Sequence, residues 1–172
     1  VVPERCVVCG HCVGACSFGA KQVRNDLRRA RHLLQRKQQV VVSLAPSFVS
    51  EFPGATPGQL IRALRLLGFS AVGETSLGAE EVSAAVAALL ASSPGGVFLS
   101  SACPVAVELV RRYHPELAGR ITPVLSTLLA HATLLRRELG PETGVVFVGP
   151  CIGKKLEADR HPELLDVALT FE

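Results

Sequence analysis

Cys6, Cys9, Cys12 and Cys16 lie within the first sixteen residues in the spacing C-x2-C-x2-C-x3-C. A run this tight dictates its own local structure, because the chain must turn sharply between ligands for the thiols to reach one small centre. The spacing is that of the ligand run of a bacterial-type [4Fe–4S] cluster. Zinc sites usually come as two separated C-x2-C units, and no second unit follows. A disulfide framework is the other alternative. His11, inside the run, reads as a spacer near the cluster rather than a ligand.

The rest of the chain reads as a globular α/β protein. At 172 residues it is long enough for one good core plus a small appended module. Its apolar runs fall far short of the ~18 residues that a membrane span needs, and the N-terminus shows no signal-peptide pattern. Six cysteines in such a sequence fit metal ligation in a reducing compartment, with the cytoplasm as the default. With no methionine and an end just after an apparent strand, the chain reads as part of a longer protein whose N- and C-terminal portions lie outside it.

Charge is concentrated near the N-terminus. Residues 1–38 carry eight Lys and Arg against two acids, chiefly Lys21, Arg24, Arg28, Arg29, Arg31, Arg36 and Lys37. Nucleic-acid binders interleave such residues with aromatics, and this segment does not. The expectation is a solvated helix face or a dock for an acidic redox partner, ferredoxin-like or another electron carrier. No nucleic-acid or membrane partner is expected.

Three segments follow from the pattern: a ferredoxin-type cluster segment over 1–23, a helical linker over 24–38 and an α/β domain over 39–172. Asn25 or Asp26 caps the linker helix, with Leu27, Ala30 and Leu34 on one face. Residues 40–45, VVVSLA, read as one β-branched run, as expected of a strand buried on both faces. Thr56-Pro57-Gly58-Gln59 opens a capping-box helix that Gly68 ends. Strands are expected over 71–75, 97–101, 145–148 and 166–171, and helices over 80–91, 104–113 and 126–139. Five strands alternating with helices predict a mainly parallel sheet with flanking helices. His32, His114, His131 and His161 are assigned to surface or helix positions.

Cys103 and Cys151 occupy matching contexts. Each follows an apolar run, has a proline beside it and leads into an expected helix, in Ser100-Ser101-Ala102-Cys103-Pro104 and Val148-Gly149-Pro150-Cys151. Ligands of open α/β sheets bind at the C-terminal ends of strands, and a helix N-terminus stabilises a thiolate. Ala45-Pro46-Ser47-Phe48 leaves its strand in the same style, so three strand ends are expected to converge. Ordinary buried cysteines are the plain alternative.

Residues 100–104 and Pro150-Cys151-Ile152-Gly153-Lys154-Lys155-Leu156-Glu157 resemble the first two motifs of the [FeFe]-hydrogenase catalytic domain, T-S-C-C-P and M-P-C-x-x-K-x-x-E. Leu67-Gly68-Phe69, Glu74-Thr75 and His114-Pro115-Glu116-Leu117 fall in the same order as in that family. With a ferredoxin segment in front, the resemblance covers essentially the whole chain. It implies that Cys103 and Cys151 are two thiolate ligands of the [4Fe–4S] part of the H-cluster. It further implies that Lys154 donates to a cyanide of the di-iron subsite and that Glu157 sits on the proton path. Cys6, Cys9, Cys12 and Cys16 would then hold an accessory relay cluster. In two-cluster ferredoxins the fourth cysteine of such a run serves the other cluster, which would pair Cys16 with cysteines upstream of Val1. Ser17 replaces the usual proline after the run.

Three departures shape the implied function. Ala102 stands where turnover enzymes carry the proton-relay cysteine, Gly149 replaces the methionine of M-P-C, and no cysteine follows Cys151 to supply a third motif. The resemblance therefore points to a hydrogenase-like electron-transfer or H2/redox-sensing protein of the sensory or regulatory branch. A second [4Fe–4S] cluster or an H-cluster would be completed only in the full-length protein. The alternatives are an active hydrogenase, joining two protons and two electrons into H2, and a non-catalytic hydrogenase-like assembly factor.

Overall fold

The computed structural model describes residues 1–171. Four parallel strands form one sheet: β1 (Val40–Leu44), β2 (Ala71–Glu74), β3 (Gly144–Val148) and β4 (Val167–Leu169), in the order β2-β1-β3-β4. Every pairing is parallel, with Val41 opposite both Ala71 and Val145, and Val146 opposite Val167. All five residues of β1 are buried, because both sheet faces are covered. Val41 and Ala45 join a core layer with Leu128, Leu129, Ala132 and Leu135. Val40, Val42 and Leu44 join the opposite layer with Ala30, Leu64 and Phe69.

The helices are α1 (His11–Gly14), α2 (Leu27–Arg36), α3 (Phe48–Glu51), α4 (Pro57–Leu66), α5 (Ser76–Ser92), α6 (Pro104–Tyr113), α7 (Thr127–Leu139) and α8 (Gly153–Arg160). The α4 capping box is present, with Gln59 N–H donating to Thr56 Oγ1 at 3.3 Å and Thr56 N–H to Gln59 Oε1 at 2.8 Å. At α2 it is Asn25 whose side chain accepts the Leu27 N–H, at 3.0 Å. Asp26 makes no capping bond because its carboxylate is drawn to Lys155. α5 begins four residues earlier than its sequence pattern suggested and packs on α7 rather than on the sheet. Gly78 makes that possible, since a Cβ there would collide with Thr127 O and would lie 2.5 Å from His131 N.

One expectation needs correction. Residues 97–101 do not join the sheet; only Leu99 pairs, in an isolated parallel bridge to Ile121, with Thr122 N–H donating to Leu99 O at 2.8 Å. The sheet therefore has four strands, and Cys103 does not follow one of them. His131 is on a helix, as expected, and its side chain is buried. It lies on α7, with Nδ1 2.8 Å from Ser43 Oγ, which is itself 2.8 Å from Thr75 Oγ1. No helix among the described residues is long and apolar enough to cross a membrane.

Candidate iron–sulfur sites

The N-terminal loop is built from tight reversals. Val8 has φ 59° and Gly10 φ 79°. A β-branched residue in the left-handed region is strained, and such strain gathers at functional loops. The Val8 N–H points at Cys6 Sγ, 3.4 Å away. α1 carries Cys12, and the chain reverses again around Cys16. Backbone N–H groups of Ala20 and Phe18 hold the Cys16 thiol below the ordinary cysteine range. Donors to sulfur stabilise thiolates and tune clusters. Four free thiols on one short loop, with the Val8 N–H donating to one of them, suit a [4Fe–4S] cluster. The thiols are not drawn onto one point, for no group of three or more His, Cys, Asp or Glu among the described residues stands in metal-holding geometry.

Cys151 of the second cysteine pair lies at the topological switch of the sheet. After β1 the chain moves to β2 on one side, whereas β3 lies on the other side and leads to β4. The C-terminal ends of β1 and β3 thus open onto one crevice, the usual ligand position of such sheets. Gly149-Pro150-Cys151 leaves β3 there, and Ala45-Pro46-Ser47 leaves β1. Gly149 is closely packed: a Cβ would lie 2.6 Å from Ala45 Cβ and would strike the Phe147 ring. The space above residue 149 is filled by Phe147 and Ala45, which accounts for glycine at this position.

Cys103 stands at the N-cap position of α6 without a side-chain capping bond, and α6 is set against α8 by a second close approach. A Cβ on Gly153 would lie 2.8 Å from Val105 Cγ2, 3.2 Å from Pro104 Cγ and 3.6 Å from Cys151 Sγ. The starts of the two helices are therefore neighbours, and Cys103 and Cys151 flank the same approach. Further along, buried Glu108 in the middle of α6 accepts Arg112 Nε at 3.0 Å and is paired with Arg160 at the end of α8. Hydrogen bonds from these two guanidinium groups hold its carboxyl below the usual range against the opposing effect of burial. Cys103 is exposed and Cys151 half-buried. Two thiols are half of what a cubane takes, so these residues alone do not fit a complete cluster.

Lys154 and Glu157 stand beside this pair. Lys154 Nζ donates to Glu157 Oε2 at 2.7 Å and to Ala102 O at 3.3 Å. Ser126 Oγ donates to the same carboxylate oxygen at 3.0 Å. Ala102 thus meets Lys154 through its backbone carbonyl alone.

The two cysteine groups meet at the start of α8. Gly10 packs on Ile152, the residue after Cys151, so closely that a Cβ on Gly10 would lie 2.5 Å from Ile152 Cδ1. α6 grips the segment before Cys6: Arg112 donates to Pro3 O at 3.0 Å and to Glu4 O at 2.6 Å, and Tyr113 Oη donates to Arg5 O at 2.7 Å. Asp26, almost fully buried, accepts from Lys155 Nζ and Arg24 Nε at 3.0 Å each and from Arg29 at 3.3 Å. Arg24 also reaches Asp159 at 2.6 Å, and Arg29 reaches it at 3.1 Å. Burial alone would raise the Asp26 carboxyl; hydrogen bonds from Lys155 and Arg24 more than reverse it and hold it below the usual range.

This network was not foreseen from the sequence. Arg24 and Arg29 belong to it, and Lys37 donates to Glu142 O at 2.9 Å, so these three cations of the basic segment have partners within the chain. His11, His32 and His114 are exposed, and His161 lies 3.2 Å from Glu163. Lys155 carried no signal beyond its place beside Lys154 in the second motif.

The sequence profile described as the C-terminal domain of the iron only hydrogenase large subunit matches residues 38–172. Among solved structures, the chain is similar to an [FeFe]-hydrogenase studied for oxygen inactivation initiated at the 2Fe subcluster of its H cluster. That match has 25% identity and a TM-score of 0.65, and covers 86% of this chain and 45% of the other. It is similar as well to a cysteine-to-histidine variant of apo [FeFe]-hydrogenase HydA1 from Chlamydomonas reinhardtii. Here identity is 25%, the TM-score 0.62, and coverage 83% of this chain and 45% of the other. The chain thus spans less than half the length of these solved hydrogenases. Curated proteins give no match. With the profile matching most of its length, the chain belongs to the family defined by the C-terminal domain of the iron-only hydrogenase large subunit.

Proposed function

We propose that this chain is part of a hydrogenase-like electron-transfer or H2/redox-sensing protein, in which a [4Fe–4S] cluster on Cys6, Cys9, Cys12 and Cys16 relays electrons to a cluster site at Cys103 and Cys151. The observation that carries this reading is the seating of Gly10 on Ile152 beside Cys151. It joins the quartet loop to the second cysteine pair without an intervening layer of protein. The remaining thiolates of the second site come from the rest of the protein, and an electron-carrier protein supplies or takes the electrons.

Lys154 and Glu157 are the residues assigned to the chemistry of that site, Lys154 as a donor to an anionic ligand and Glu157 as a proton carrier reaching Ser126. That buried chain of polar groups favours an active hydrogenase as the second reading. Ala102 favours sensing or electron transfer, because its methyl group carries no proton toward the site.

Anaerobic reconstitution of the full-length protein, with iron and sulfide analysis and infrared spectroscopy, tests the proposal. Cubane absorbance is expected from the N-terminal loop, and CO and CN bands after maturation indicate a di-iron unit. Full-length protein that binds cubanes and never shows those bands would be a non-catalytic iron–sulfur protein, and a hydrogenase-like active site would be ruled out.

A further inference from the structure

Between the N-terminal loop and α8 lies a cavity of about 310 Å³, with Cys6, Gly10 and Cys12 on one wall and Ile152, Lys155 and Leu156 on the other. Two of the four quartet thiols thus border a space whose opposite wall belongs to the α/β domain. Lys155 is the buried cation of that wall, 5% exposed. Its ammonium is tied to Asp26 Oδ2 and Ala168 O, at 3.0 Å each, so it keeps a fixed place. Arg24 and Asp159 also line the cavity, and with Asp26 and Arg29 behind them the linked network sets three cations against two carboxylates, an excess of one positive charge.

We propose that Lys155 is a redox-positioning residue, whose buried ammonium raises the midpoint potential of the cluster held on the N-terminal loop. This rests on the reading of that loop as a [4Fe–4S] site. Reduction takes one electron from an external low-potential donor and adds one negative charge to the cavity side, passing from the 2+ to the 1+ state. A fixed cation in a low-dielectric setting favours the more negative state. Lys155 also follows Cys151 closely at the start of α8, so a ligand of one site stands beside the electrostatic wall of the other.

The test is an anaerobic redox titration of the reconstituted full-length protein, with dithionite as donor and the spin signal of the reduced cubane as readout. Lys155→Met is expected to lower the midpoint, so that at the wild-type midpoint the ratio of reduced to oxidised cluster falls several-fold; tenfold corresponds to 59 mV for one electron. Lys155→Arg keeps the charge and is expected to stay near wild type. Asp26→Asn removes a counter-charge but leaves the Ala168 contact, and is expected to shift the midpoint the other way. A loaded Lys155→Met protein with an unchanged midpoint overturns the proposal. If that variant takes up no iron, Asp26→Asn decides, and an unchanged midpoint there overturns it equally. A wild-type protein without any cubane signal overturns the underlying reading of the loop and this proposal with it.

Discussion

Lys154 Nζ and Glu157 Oε2 lie 2.7 Å apart across one turn of α8, and each residue is only 8% exposed. An ion pair this enclosed survives because further hydrogen bonds serve it, from Ser126 to the carboxylate and from the ammonium to Ala102 O. Removing one partner strands the other. Glu157→Leu is expected to cost about 3–5 kcal/mol in denaturant unfolding, whereas Lys154→Met/Glu157→Leu together are expected to cost less than either change alone. Unfolding midpoints of the three variants check this, and strictly additive losses would count against a coupled pair.

Gly10 has two reasons to be glycine, its φ of 79° and the proximity of Ile152. Gly10→Ala is expected to destabilise the seating of the loop by about 1 kcal/mol from the left-handed backbone alone. The clash with Ile152 adds to this, and Ile152→Ala in the same chain is expected to recover that part only. Rates of limited proteolysis within residues 1–23 measure the effect. Equal protection in wild type and Gly10→Ala would refute it.

His131 makes stability depend on pH. Burial lowers its pKa from the usual value of about 6.5, and among the described residues Nε2 has no hydrogen-bond partner that would favour a charged ring. The unfolded chain therefore binds more protons in the range just below 6.5. The contribution of His131 is full above that pH and declines as pH falls from 6.5 toward the lowered folded value. Urea titrations across pH 5–8 are expected to show wild type losing stability on acidification, and His131→Gln a flatter profile. Parallel profiles for the two proteins would exclude His131 as the source.

Cys9 belongs to the loop and to no core layer. Cys9→Ala is expected to abolish the iron content and visible absorbance of the N-terminal site while leaving far-UV circular dichroism and the unfolding transition of the α/β domain in place. Global unfolding on this change would contradict the division into a cluster loop and an independently packed sheet.

Gly78 lets α5 lie against α7, where a methyl group would meet Thr127 O and the backbone nitrogen of His131. Because both obstacles are backbone, they cannot rotate away. Gly78→Ala is expected to cost about 1–3 kcal/mol through forced separation of the helices. A thermal midpoint equal to wild type would show that α5 can shift without penalty.

Local patterns determined much of this protein. β1 and β3 were legible because strands buried on both faces read as near-continuous apolar runs, interrupted in β1 only by Ser43. α4 was legible because Thr56 caps it through bonds spanning three residues. The cysteine spacing marked the N-terminal loop for the same reason, since ligand runs are short-range. Residues 97–101 carry a strand-like pattern that local sequence cannot assign to a partner, and in the fold only Leu99 finds one, in Ile121. The burial of His131, the Asp26–Lys155 tie and the contact of Gly10 with Ile152 were decided by tertiary structure alone. Each joins groups tens of residues or more apart, and only the packing of α7 on the sheet and of the N-terminal loop on α8 brings them within reach. A charged or glycine residue carries no mark of its distant partner, because burial and ion pairing are properties of the assembled fold.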